Sequence, residues 1–309
     1  MTAREHVLAL DLGTTGVRAL VVRADGAVRA RAWRPLAARF PAPGWVEQDA
    51  EDWWTQSVAV MREALAQAGL AARDLAALGI VSQRSTAVAF DARSGAALAP
   101  AIGWQDQRTA PRVAELAASG IAANTLASAT KFEWLLGLAA VAEAARAGRL
   151  RLGTSDVWLT RRLSGECCAT DPGHSSCTGL WDASTGTGSG RALDRFGLDA
   201  AWLARVVPTA VVVGETRALG TPVALASRAG DQQAASFAQG VHLPGAGKLT
   251  LGTSAMLEVH TGPAPARAPR TWCGRRSRVW RSAAPTCARR CRCRRARCAS
   301  MAGSRAAAC

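Results

Sequence analysis

Val7-Leu8-Ala9-Leu10-Asp11-Leu12-Gly13-Thr14-Thr15-Gly16-Val17-Arg18-Ala19 is the stretch around which this chain is organised. Two apolar, β-prone runs flank one carboxylate, two glycines and two threonines, a pattern that predicts strand, tight turn, strand. Such a turn aims backbone N–H groups and hydroxyls at an anion, and a carboxylate at the strand end suits a hard cation or its water. An ordinary hairpin with a polar tip has the same pattern. A second constellation far downstream, Gly230-Asp231-Gln232-Gln233 followed by Leu251-Gly252-Thr253-Ser254, favours the phosphate reading.

The 309 residues suffice for two domains, and 49% hydrophobic with 20% charged residues is a globular composition. No apolar run reaches the roughly 18 residues that a membrane-spanning helix needs. The N-terminus lacks the apolar core of a signal peptide, so a cytoplasmic location is expected. The net charge of +15 is unevenly placed: 13 arginines, no lysine and no acidic residue lie between Arg267 and Cys309. The preceding part holds 25 basic and 23 acidic residues, a net of +2. Six of the nine cysteines also fall in that last segment.

Along the body, Val28 to Trp33, Leu78 to Val81 and Ala87 to Phe90 are expected strands. Asp49 stands where a helix N-cap belongs, and Trp54, Val58, Met61 and Leu65 follow at helical spacing up to Gly69. Further helices are expected at 111–118, 132–147 and 156–163, and 184–190 reads as a flexible surface loop. Strands opening the chain and helices alternating with later strands give an α/β class with a mixed sheet.

Four segments carry candidate chemistry. Ser82-Gln83-Arg84-Ser85-Thr86 follows a strand, where α/β proteins place ligand loops, and Arg84 offers a planar donor fork or a surface ion pair. Trp104 of Gly103-Trp104-Gln105-Asp106-Gln107-Arg108 suits the wall of a sugar or polyol pocket, or simply the core. Asp231 is either a helix cap or a carboxylate able to take a hydroxyl proton during attack on phosphorus. Lys248 to Ser254 repeats the strand-turn-strand grammar of the opening, so two related halves are expected to grip one nucleotide from opposite sides.

These pieces resemble the FGGY family of carbohydrate kinases, and within it most closely the glycerol kinases. The resemblance rests on Asp11-Leu12-Gly13-Thr14-Thr15, Gly44-Trp45-Val46-Glu47-Gln48-Asp49, Gln83-Arg84, Trp104 to Thr109, Ala129-Thr130-Lys131, Gly153 to Leu159, Thr170-Asp171, Gly230 to Ala235 and Gly252-Thr253-Ser254. It implies an actin/hexokinase-like, ribonuclease-H-like fold, a mixed sheet flanked by helices, with only the start of a second domain present. The expected division is 1–240 for the N-terminal domain, 241–266 for the start of the next, and 267–309 as a tail. It implies ATP and Mg2+ as cofactors and transfer of the γ-phosphoryl group to a sugar or polyol. By motif position Asp231 would be the general base, and Asp11 would lie near the metal. Thr14, Thr15 and Arg18, with Gly252 and Thr253, would contact the nucleotide and its phosphates. Arg84, Trp104, Asp231 and Gln232 would line the acceptor site.

Ser85 stands where glycerol kinases carry a glutamate and Leu126 where they carry a tyrosine, which favours a different or less polar acceptor. Beyond Gly262 the resemblance stops. An arginine- and cysteine-rich segment without hydrophobic periodicity points to a reading-frame shift near residues 263–272, as GC-rich DNA read out of frame would give. Activity of the chain so shortened is doubtful. The alternatives are a non-catalytic sugar-binding relative and a basic tail that binds nucleic acid. A nucleic-acid partner is disfavoured, no membrane partner is expected, and homo-oligomerisation is left open for a full-length form.

Overall fold

The computed structural model describes residues 4–262 except 183, 184, 186 and 252–254. The chain opens with three antiparallel strands, β1 (His6–Leu12), β2 (Gly16–Arg23) and β3 (Val28–Pro35). Period-two burial puts Leu8, Leu10 and Leu12 of β1 fully inside and leaves Val7, Ala9 and Asp11 on the other face. Gly16 is required by close packing, since a Cβ there would stand 2.8 Å from the Arg34 carbonyl.

After the short β4 (Glu47–Gln48) comes α1 (Ala50–Ala68), which covers the sheet. Asp49 caps it by accepting from the Glu51 N–H, and Gly69 ends it at φ +67°. Trp53, Val60, Met61 and Ala64 are its buried face.

β5 (Leu75–Ser82) then enters beside β1, in parallel. β6 (Ala87–Asp91), β7 (Ala101–Ile102) and, later, β8 (Leu150–Thr154) join β4 in a second sheet of order β4-β7-β6-β8. Between β7 and β8 lie α2 (Ala110–Ala118), α3 (Ser128–Leu136) and α4 (Ala139–Arg146). The single helix expected over 132–147 is therefore two, interrupted at Gly137-Leu138, and α3 starts four residues earlier. Alanine-rich sequence has helical propensity throughout and does not itself mark such a break.

α5 (Ser155–Ser164), β9 (Ala169–Thr170) and α6 (Pro172–Ser176) follow, then a small hairpin of β10 (Trp181–Asp182) and β11 (Thr187–Gly188). Part of the expected 184–190 loop is thus strand. α7 (Gly190–Phe196) and β12 (Arg205–Val206) lead to β13 (Glu215–Thr216) and β14 (Val223–Gly230). β14 runs parallel to β5, completing a six-stranded mixed sheet of order β13-β14-β5-β1-β2-β3. α8 (Asp231–Ala238) and a separate hairpin, β15 (Gly247–Leu251) and β16 (Ala255–Val259), close the described part.

Trp53 of α1 and Trp158 of α5 meet edge to face at 6.0 Å within the larger core. A second cluster, with Phe132, Leu135, Val141 and Leu152, lies under the smaller sheet. Among the described residues no helix is long and apolar enough to cross a membrane.

Candidate active site

Three parallel strands end at one edge. Leu12 of β1 is the register partner of Ser82 of β5, and Ser82 is the partner of Gly230 of β14. The residues at or just beyond these ends are Asp11, Gln83 with Arg84, and Asp231, which come from three distant parts of the chain. Carboxyl ends of adjacent parallel strands are where α/β folds gather ligand-binding groups.

The Arg84 Nε donates to Asp231 Oδ1 at 3.2 Å, and its Nη1 points to the Cys177 sulfur at 3.5 Å. Burial works against the charge on Arg84, but Cys177, Asp231 and Glu258 around it raise its pKa. The side chain lies flat against Gly230, where a Cβ would come within 2.6 Å of the Arg84 Cδ. Asp231 is the first residue of α8 and Gly230 its cap, so Asp231 is not the N-cap itself. Its Oδ1 also accepts from the Gln232 N–H at 2.8 Å.

Asp11 pairs across the hairpin with Arg18, Nε to Oδ2 3.1 Å. Burial pushes the Asp11 carboxyl up; Arg18 works against this and the nearby negative charge of Asp231 adds to it. Two carboxylates therefore face a common region from opposite sides of the strand edge. Their oxygen donors, and a charge repulsion that a divalent cation would relieve, suit magnesium.

The turn between β1 and β2 is held from the side. The Trp104 indole N–H donates to Thr14 Oγ1 at 2.9 Å, and Gln48 Nε2 donates to the Thr14 carbonyl at 2.8 Å. Gln83 in turn donates to Gln48 Oε1 at 2.8 Å. Thr15 is exposed at the tip, and its carbonyl accepts from the Leu36 N–H. The β1–β2 turn, Gln48, Gln83 and Trp104 are thus parts of one hydrogen-bonded unit.

Asp106 and Arg108, two and four residues after Trp104, tie its loop to the Val46-Glu47 segment. Asp106 accepts from the Val46 N–H at 2.6 Å, and Arg108 forks onto Asp106 while reaching Glu47 at 2.9 Å. The Arg108 guanidinium lies 3.9 Å from the Trp45 ring centre and 4.5 Å from that of Trp134.

Gln232 departs from the expected arrangement. Its side-chain carbonyl is taken by Lys248 at 2.6 Å, which also pairs with Glu258 at 2.7 Å. It joins α8 to the β15–β16 hairpin. Gly252 and Thr253 lie outside the described residues, as does the 267–309 tail. Ser85 is buried at φ +63°, and Leu126 is half-buried.

Sequence reasoning missed the linking role of Gln48 and Gln83, and it missed Cys177. It quoted Lys131 only as part of a motif, although one signal was present. In a chain whose basic residues are otherwise arginine, Lys131 and Lys248 are its only lysines, and both are buried.

A model of the FGGY family of carbohydrate kinases, N-terminal domain, matches residues 6–238. The glycerol kinase of Bordetella pertussis is 39% identical over 279 residues, 86% of this chain and 55% of that protein. That of Aromatoleum aromaticum is 41% identical over 299 residues, 91% of this chain and 59% of its own. Among solved structures, xylulose kinase from Rhodospirillum rubrum matches with a TM-score of 0.73 at 27% identity, covering 82% of this chain and 55% of the other. Plasmodium falciparum glycerol kinase with ADP shares the fold with a TM-score of 0.77 at 23% identity, covering 82% and 53%. The chain spans about half the length of the curated relatives it matches.

Proposed function

The chain belongs to the FGGY family of carbohydrate kinases, and from that premise we propose that it serves ATP-dependent transfer of a phosphoryl group to a hydroxyl of a sugar or polyol. The observation that carries this reading is the shared register of Leu12, Ser82 and Gly230, which gathers Asp11, Arg84 and Asp231 at one strand edge. Asp231 is the general base, its carboxylate oriented by Arg84. Arg84 and Trp104 flank the acceptor, with Gln232 tying the base-bearing helix to the second hairpin. Thr14, Thr15 and Arg18 meet the phosphates, and Asp11 holds the magnesium. By motif position alone, Gly252 and Thr253 are assigned to the nucleotide as well.

In this reading residues 1–240 form the first lobe and 241–266 open the second. When bound, ATP would supply the phosphoryl group and Mg2+ would neutralise the charge that develops on it, with Asp11 placed to hold the ion. The chain's own part is to place a hydroxyl in line, take its proton and exclude water. With serine at 85 and leucine at 126, the acceptor is expected to be other than glycerol.

The test is acceptor-dependent ADP release, with glycerol and D-xylulose as probes. Asp231→Asn is expected to lower turnover by about a hundredfold or more while the circular dichroism spectrum stays unchanged. Turnover close to wild type would remove the base role. No acceptor-dependent ADP release from the wild-type chain would deny it the activity.

A further inference from the structure

We propose that Lys131 is a positioning residue of the acceptor site, a buried clamp whose single nitrogen holds the Arg84-Ser85 turn and the Trp104 loop together. The proposal rests on the acceptor lying between Arg84 and Trp104, as in the preceding reading. Lys131 sits on α3, fully buried, and its Nζ donates to the Ser85 carbonyl at 3.0 Å and to the Trp104 carbonyl at 3.5 Å. One residue from behind thereby touches both sides of the site.

Ser85 adds an independent observation. Among the described residues it is the only non-glycine with positive φ, +63°. A residue with a Cβ is disfavoured there and persists only where its surroundings impose it. The donation from Lys131 to the Ser85 carbonyl is such a constraint, and it fixes the residue that directly follows Arg84.

The charge balance around Lys131 is unusual. Asp106 faces it but is already engaged by Arg108 and the Val46 N–H. Arg108 faces it with like charge, Glu133 on the same helix pairs with Arg112, and Arg84 is turned toward Asp231. Two carbonyl acceptors match the two N–H groups of a neutral amine, whereas an ammonium brings a third donor and a buried charge. Burial accordingly lowers the Lys131 pKa to about 7, with Asp106 opposing the shift and Arg108 assisting it.

The clamp is therefore graded by pH. An opening of the two loops that hydrates Lys131 returns its pKa toward the ordinary 10.5. Above pH 7 such opening must take up a proton, so it becomes harder as pH rises; below pH 7 both forms hold the proton, and opening is at its easiest and no longer varies with pH. Acidification is expected to weaken acceptor binding through this residue.

The experiment is backbone amide hydrogen exchange on the full chain from pH 6 to 9, with rates divided by their intrinsic values. The Gln83 amide bonds the Leu12 carbonyl, Gly103 bonds Val46 and Asp106 bonds Gly103, so all three report on the loops. Their protection is expected to be flat below pH 7 and to rise by up to about tenfold per pH unit above it. Edge amides of β3, which fray without exposing Lys131, are expected to stay level. In Lys131→Met the rise should vanish.

A flat wild-type profile at the loops would overturn the proposal, and so would a rise that survives in Lys131→Met. Should that variant fail to fold, the wild-type series decides alone. Hydrogen exchange needs no turnover, so an inactive chain with the expected exchange profile would overturn the kinase reading, and with it the acceptor, while the Lys131 clamp between the two loops would stand.

Discussion

The β1–β2 and β15–β16 hairpins share one sequence grammar, two strand-forming runs with a Gly-Thr pair between them, yet the fold treats the strands oppositely. β1 lies inside a six-stranded sheet, with Leu8, Leu10 and Leu12 at 0% exposure. β15 and β16 pair only with each other among the described residues, and their outward face is apolar: Leu249 is 57%, Leu251 75%, Leu257 63% and Val259 49% exposed. Their inward face is polar, with Lys248 and Glu258 against Gln232 and Ser236 of α8. Alternation alone makes a hairpin; what it packs against decides whether it contributes a core.

The sharpest way to break this comparison is to truncate one leucine from each hairpin. Leu10→Ala is expected to cost about 2–5 kcal/mol in urea unfolding, and Leu251→Ala less than about 0.5 kcal/mol. A large cost for the second would mean that the outward face is covered in solution.

Glycines that open one strand of each hairpin, Gly16 in β2 and Gly247 in β15, give a smaller contrast. A Cβ at Gly16 presses on Trp33 and the Arg34 carbonyl, whereas one at Gly247 has its nearest atom, the Glu258 carbonyl oxygen, 3.2 Å away. Gly16→Ala is expected to lose about 1–3 kcal/mol by the same measurement, and Gly247→Ala distinctly less.

The two lysines extend the comparison to electrostatics. Lys248 in the second hairpin meets a carboxylate, while Lys131, beside the site, meets only carbonyls. With a folded pKa of about 7 against 10.5 unfolded, the unfolded chain holds one more proton in that window. The contribution of Lys131 to stability should therefore rise with pH there, by roughly 1 kcal/mol per pH unit. Stability measured against pH for wild type and Lys131→Met isolates this slope; equal slopes would refute it. A smaller change, and one of opposite sign, is expected from Ser85→Gly: a gain of about 0.5–1 kcal/mol in thermal unfolding by relief of the left-handed backbone, offset in part by the greater freedom of glycine when unfolded.

Much of the fold was legible in the chain. The β1–β2 turn, the Asp49 and Gly69 ends of α1, and the strands expected at 78–81 and 87–90 follow from periodicity and capping chemistry, which act within a few residues; β5 runs further, from Leu75 to Ser82. The break at Gly137-Leu138 and the strand at Thr187-Gly188 were not legible, because neighbouring elements decide them. At the candidate site, the residue types at Asp11, Arg84 and Asp231 stood out by position after strands. Gln48, Cys177 and the turning of Gln232 toward Lys248 did not, since each depends on a partner far away in sequence.

The α/β class, the β1–β2 turn and the family of carbohydrate kinases to which the chain belongs could all be read from the sequence, because local periodicity and ordered short motifs survive without knowledge of contacts. Only the tertiary structure decided that Leu12, Ser82 and Gly230 share one register and that Arg84 lies on Gly230 against Asp231. It also decided that Lys131 is buried between two carbonyls. Those facts are set by packing between segments from 27 residues apart, for Lys131 and Trp104, to 147 apart, for Arg84 and Asp231, where burial and desolvation, rather than any local propensity, choose the partner.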